Sequence, residues 1–101
     1  MIPNKEDTIY TAGFFDGEGY IGRGWKNRIE IRIVNNNEDV INYLHDLWGG
    51  IIYKRKRKDN PALDLVIYRK SDVLRFINTV YPFLKVKKEQ IDKTLEVIKT
   101  K

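Results

Sequence analysis

Apolar and polar residues recur along this chain with two different periods, and the points where one period gives way to the other mark its elements. From Thr8 to about Gly17 the apolar and small residues fit a short helix, with Asp7 or Thr8 as its cap. Two runs then flank Lys26-Asn27, one from Tyr20 to Lys26 and one from Arg28 to Val34. In the second, Ile29, Ile31 and Ile33 alternate with Arg28, Glu30 and Arg32, which predicts a strand with one apolar and one charged face. From about Asn37 to Trp48, the residues Val40, Ile41, Leu44, Leu47 and Trp48 keep helical spacing, and Gly49-Gly50 ends that helix. Ile51 to Arg57 and Leu63 to Tyr68 form a second strand pair around an Asp59-Asn60-Pro61 turn. Ser71 or Asp72 then caps a helix carrying Val73, Leu74, Phe76, Ile77 and Val80, which Pro82 stops. A last amphipathic helix, roughly Lys88 to Lys99, presents Ile91, Leu95 and Ile98 on one stripe. The order is αββαββα with an extra C-terminal helix. Hairpins need only short loops and each strand pair has one apolar face, so the predicted packing is α+β. It is a four-stranded antiparallel sheet with helices on one face and the other face wet. No linker, repeat or low-complexity tract breaks the pattern, and residues 1–101 read as a single domain.

Composition narrows the class. With 42% hydrophobic and 33% charged residues over 101 positions, the chain can bury a core and is not of the disordered type. It has no cysteine, which excludes disulfides, thiolate metal sites and a cysteine nucleophile, and fits a reducing compartment. The amino terminus, MIPNKEDTIY, has no signal-peptide core, and no apolar run is long enough to cross a bilayer. A soluble intracellular protein with no membrane partner is expected. Nineteen Lys and Arg against fourteen Asp and Glu give a net charge of +5. The densest run, Lys54-Arg55-Lys56-Arg57-Lys58, continues the apolar Ile51-Ile52-Tyr53 and precedes the turn, so it reads as one arm of a hairpin. A solvated face is the plain alternative. Cations held on a sheet favour phosphates, and a two-stranded ribbon fits the major groove of B-DNA.

The most informative stretch is Ala12-Gly13-Phe14-Phe15-Asp16-Gly17-Glu18-Gly19, a helix that runs into two acids separated and followed by glycine. Gly17-Glu18-Gly19-Tyr20-Ile21-Gly22 also satisfies GxGxxG, but a dinucleotide fingerprint needs a strand before it and a helix after it, and here the order is reversed. A helix carboxyl terminus favours a cation, and an adjacent carboxylate adds to that preference. Gly13 and Gly17 are four apart, with Ala12 beside the first, so a second helix could approach closely.

This stretch, the αββαββα order, the VNNNED segment and PFLKVKKEQ near the end together resemble the single-motif LAGLIDADG homing endonucleases. Thr11 stands where that family usually has leucine, and Phe14-Phe15 replace its aliphatic pair. The resemblance implies a saddle-like sheet and a site-specific double-strand DNA endonuclease, acting as a homodimer on a long pseudo-palindromic site. It implies Mg²⁺, with Mn²⁺ as a substitute, no organic cofactor, and double-stranded DNA and a second copy of the chain as partners. Mobility of an intron or intein and a place at the nucleoid belong to the same picture. By the same resemblance Glu18 is the catalytic metal ligand and the main-chain carbonyl of Gly17 a second ligand. Ala12, Gly13, Asp16 and Gly17 lie at the dimer interface, with Asp16 holding the helix end through hydrogen bonds. Asn35 stands at a position near the attacking water and Lys87 at that of a lysine assisting electrostatically. One departure is Glu38-Asp39, where a basic residue is usual.

Base reading is expected from side chains that point away from the helices: Arg23, Trp25, Lys26, Arg28, Glu30, Arg32, Tyr53, Arg55, Arg57, Asp64 and Val66. Arginine suits guanine, and Glu30 and Asp64 can accept from cytosine. His45 reads as a plain surface residue. A regulator without cleavage activity, or an intron RNA maturase, would keep the scaffold and lose or redirect the chemistry. A basic RNA-binding domain of ribosomal type would require the motif to be coincidence.

Overall fold

A computed structural model describes residues 2–55 and 62–99. Its first helix, α1 (Lys5–Glu18), begins earlier than the apolar pattern predicts, because Asn4 is the cap. The Asn4 side chain accepts from the Asp7 amide at 2.7 Å and Asp7 accepts in return from the Asn4 amide at 3.1 Å, so Asp7 closes a capping box at the third helical position. Strand β1 (Gly19–Arg23) follows without a linker and stops three residues short of the expected end. Trp25–Asn27 instead form a tight turn in which Lys26 and Asn27 take left-handed φ of 55° and 60°. Strand β2 (Ile29–Asn35) leads to α2 (Glu38–Trp48), capped by the Asn37 side chain on the Val40 amide. Gly49 and Gly50, at φ of 83° and 98°, then turn the chain into β3 (Ile51–Arg55). Strand β4 (Ala62–Ile67) precedes α3 (Lys70–Val80), a turn at Tyr81–Phe83, and α4 (Lys88–Lys99). Helix α3 starts before Ser71 and Asp72. Its cap position is Arg69, which makes no side-chain capping bond.

The four strands form one antiparallel sheet in the order β1-β2-β4-β3. Register assigns the faces. Ile21, Ile31, Ile67, Ile33 and Leu65 fall in line across the strands, and all are at most 1% exposed beneath the helices. Helices fill this side with Ala12 and Phe15 from α1, Ile41, Leu44, Leu47 and Trp48 from α2, Val73, Phe76, Ile77 and Val80 from α3, and Ile91 from α4. Phe76 is the hinge of the packing, edge-on to both Phe15 and Trp48 at 5.3 and 5.1 Å. Thr11 has a use that leucine could not serve. Buried between helices, its hydroxyl donates to the Asp7 carbonyl at 2.7 Å and accepts the Trp48 indole N–H at 3.0 Å. Among the described residues no helix covers the opposite sheet face. Among the described residues no helix is long and apolar enough to cross a membrane.

Candidate metal centre and nucleic-acid interface

Because α1 runs directly into β1, Glu18 is the last helical residue and stands exposed where the helix meets the sheet. Strand β2 is antiparallel to β1, and its last residue, Asn35, comes back to the same end. The Asn35 amide donates to Glu18 Oε2 at 3.1 Å, and its own carbonyl oxygen accepts from the Asn37 amide at 2.8 Å. The turn into α2 thus fixes Asn35, and Asn35 steadies Glu18. Asp16, two residues back, points elsewhere. Its two oxygens accept the amides of Lys85, Val86 and Lys87 at 2.8, 3.0 and 3.0 Å, tying the segment before α4 to the end of α1. Burial works to raise the Asp16 pKa, but those three amides and the nearby Lys87 charge outweigh it and hold the carboxyl below its ordinary value. Lys87 is brought to this end of the molecule through its backbone.

Among the described residues no three His, Cys, Asp or Glu side chains gather as a metal cage. Glu18 is therefore a single carboxylate donor. It stands beside an exposed glycine at the carboxyl end of a helix, whose unpaired carbonyls favour a cation.

Along α1, the face away from the core is nearly bare. Gly13 and Gly17 are exposed, and a Cβ built on either would meet nothing within 4 Å. Ile9 and Tyr10, each 47% exposed, continue this strip toward the start of the helix. Two residues expected on the face are not there. Ala12 is 1% exposed and belongs to the chain's own core, one helical step around from Gly13, and Asp16 is fully engaged by residues 85–87. Gly19 serves a different need, since a Cβ there would lie 2.0 Å from the Phe15 ring.

The helix-free face of the sheet carries Tyr20 from β1, Glu30 and Arg32 from β2, Asp64 and Val66 from β4, and Tyr53 and Arg55 from β3. Arg28, just before β2, stacks on Tyr68 at 4.3 Å. Three expectations change here. Arg23 pairs with Ile29 in the row that faces the helices, and its Nη2 is buried, because it shares the parity of Ile21. Val66 has the expected orientation, but it lies between Arg32 and Ile51 in register and is 3% exposed, a floor of the face with little surface to offer. Asp64, foreseen as a free acceptor, is also 3% exposed and is occupied by arginines. Arg32 Nη1 reaches its Oδ2 at 3.0 Å, while Arg55 brings Nε to Oδ1 at 2.9 Å and Nη2 to Oδ2 at 3.0 Å. Glu30 bridges Arg32 and Arg28 at 3.4 and 3.8 Å. Lys26 is exposed on its turn, of the Trp25 site the backbone turn is described, and Arg57 lies outside the described residues. His45 is on the outside of α2, its Nδ1 3.4 Å from Asp46. Tyr20, 51% exposed and opposite Arg32, was missed by the motif-centred reading, although its parity relative to Ile21 places it on this face.

No curated protein sequence matches the chain significantly. Solved structures do. One is the homing endonuclease I-CvuI in complex with a DNA target in the presence of magnesium, with the DNA not cleaved. It has a TM-score of 0.74 and 18% identity, covering 94% of this chain and 67% of that one. Another is the archaeal intron-encoded homing endonuclease I-Vdi141I complexed with DNA, at 0.74 and 21%, covering 91% and 66%. The homing endonuclease I-TnaI matches at 0.60 and 29%, covering 87% and 65%. The chain spans about two thirds of the length of each of these proteins. A family profile for the LAGLIDADG-like domain matches residues 6–81, all but the first residue of α1 and the whole of the sheet, and the chain belongs to that family.

Proposed function

We propose that the chain is one subunit of a site-specific, divalent-metal-dependent DNA endonuclease that works as a homodimer. The observation that carries this reading is the position of Glu18. It is an exposed carboxylate at the open end of a helix, steadied by Asn35 and set beside the bare Gly13–Gly17 strip. One chain offers one such carboxylate, whereas hydrolysis of both strands of a duplex requires two. Packing two α1 helices along the glycine strip brings two Glu18 groups side by side, an arrangement of like charges that a divalent cation relieves.

Glu18 and the Gly17 carbonyl would hold that cation together with phosphate oxygens. When bound, it supplies Lewis acidity and lowers the pKa of coordinated water, the general logic of phosphodiester hydrolysis at such sites. The chain's own residues do the positioning. Asn35 orients the carboxylate and Asp16 anchors the backbone of the segment bearing Lys87, whose cation would offset charge on the phosphate. The wet sheet face lies in the major groove, reading one half of a twofold site per subunit. Residues 1–101 would act as a single domain on DNA inside the cell, in keeping with one hydrophobic cluster among the described residues. The two relatives solved with DNA, of which I-CvuI was solved once with magnesium and once with calcium, support it by analogy of fold.

Glu18→Gln tests the assignment. It removes a metal-binding charge at nearly constant shape, so duplex binding should persist and Mg²⁺-dependent cleavage should disappear. Cleavage at the wild-type rate would refute the role of Glu18. Loss of binding as well would point to a structural role instead.

A further inference from the structure

On the wet face of the sheet, charges of opposite sign alternate diagonally across three strands: Arg32 on β2, Asp64 on β4 and Arg55 on β3. The side chains of the two arginines are 38% and 37% exposed, whereas that of Asp64 is 5% exposed beneath them. A carboxylate so placed cannot itself reach a base. It can hold the two guanidiniums that do. Arg55 donates to Asp64 Oδ2 from Nη2 and brings Nε within 2.9 Å of Oδ1 as an ion-pair contact, which leaves Nη1 and the second hydrogen of Nη2 as an end-on pair, the geometry that meets O6 and N7 of guanine. Arg32 is pinned from two sides, by Asp64 and by Glu30. Its Nη1 and the Nη2 of Arg55 contact the same Asp64 oxygen. The two nitrogens are therefore within about 6 Å of each other, less than two base steps of about 3.4 Å.

We propose that Asp64 is a positioning residue for sequence recognition, joining Arg32 and Arg55 into one unit that selects guanines at neighbouring base pairs. This rests on the reading of the sheet face as the DNA-contacting surface. An arginine held by a buried partner loses less side-chain freedom on binding, and one displaced from its partner by a wrong base leaves that partner's buried charge uncompensated. Discrimination at both positions thus depends on a residue that contacts neither. Asp64 also cancels one unit of positive charge on this face, holding down attraction to DNA of any sequence.

The experiment selects bound duplexes from a randomised half-site library, using the full chain with Ca²⁺, and compares wild type, Asp64→Asn, Arg32→Ala and Arg55→Ala. Wild type should prefer guanine at two neighbouring pairs, by roughly five- to hundredfold at each. Asp64→Asn should reduce both preferences together while affinity for random duplex stays equal or rises. A purely structural defect would lower both affinities and shift thermal unfolding. Arg32→Ala changes an exposed side chain, so the fold persists even if Asp64→Asn unfolds. It should weaken the guanine preference at the Arg55 position as well as its own. Full base preference in Asp64→Asn, or strictly independent effects of Arg32→Ala and Arg55→Ala, would overturn the clamp while leaving DNA binding intact. A wild type with no duplex preference at all would overturn the functional reading and the clamp together.

Discussion

Gly13→Ala separates what the motif does for the fold from what it does for assembly. Gly13 is in the interior of α1, and a Cβ there would meet nothing within 4 Å. Within one chain the substitution therefore adds no clash and removes backbone freedom from the unfolded state, which should stabilise the monomer by about 0.5–1 kcal/mol. For a dimer packed on the same face, the effect reverses. Each helix gains a methyl group where the other must approach, the axes separate, and the two Glu18 groups move apart. A displacement of about 1 Å at the reacting centre can cost on the order of a hundredfold in rate. Urea unfolding at protein concentrations below dimerisation should give a raised midpoint with an unchanged slope. Sedimentation equilibrium and cleavage assays at higher concentration should give weakened association and slowed cutting. A destabilised monomer would show that α1 packs differently within the chain. Unchanged association would show that the dimer uses another surface.

Other expectations follow from single contacts. Thr11→Val keeps shape but leaves the fully buried Trp48 N–H without its acceptor, which should cost about 1–3 kcal/mol in urea unfolding; adding Trp48→Phe should recover part of the loss. Tyr43 donates to Asp7, and its pKa, raised first by burial and then by that carboxylate, is pushed up to about 12 from 10.0. The folded state favours the protonated phenol, so this contribution is whole below pH 10 and lost between pH 10 and about 12; Tyr43→Phe should flatten stability across that window. Asp7 is lowered, by the Tyr43 hydrogen bond and then the Asn4 amide, so its contribution is present above the ordinary carboxylate range and fades as pH falls below it. Duplex affinity should fall steeply with salt, with a log–log slope of about −0.9 per phosphate contact, and a flat response would argue against DNA as the ligand.

The element order was legible because the periodicity of β2 and of helices α2 and α3 agrees with their burial, although β4 is buried on both faces, with Asp64 and Val66 3% exposed. The isoleucines of β2 and the leucines of β4 alternate, and their odd-numbered members line the core. What local pattern could not show was anything settled by a distant partner. Asn4 lies outside the apolar periodicity and becomes the cap only through its exchange with Asp7. Arg23 read as another basic residue on a basic face, yet its parity with Ile21 turns it toward the helices, and parity would have flagged it. The strand order, with β4 between β2 and β3, is set by packing across the whole sheet and has no signature in any one segment. The site divided along the same line. The meeting of Glu18 and Asn35 is a consequence of β1 and β2 being adjacent and antiparallel, which the hairpin made foreseeable. The anchoring of residues 85–87 by Asp16 joins positions about 70 apart in sequence, and spacing carries no trace of it.

The motif's glycines show how one short string can answer three separate physical demands. Gly13 and Gly17 leave space outward, where a Cβ would meet none of the described residues within 4 Å, which fits the proposed packing of a second helix there. Gly19 leaves space inward, where the Phe15 ring needs it to seat against Phe76. Between them stands Glu18, which folding alone would let be almost any polar residue, since its contact is one exposed hydrogen bond. A substitution at Gly19 should therefore lower stability without changing the stoichiometry of the folded protein, by about 1–3 kcal/mol for an overpacked site. Substitutions at Gly13 and Gly17 should do the reverse. Such a division within seven consecutive residues is what the proposed dimer asks of the motif, and a helix that merely ends in glycine would not need it.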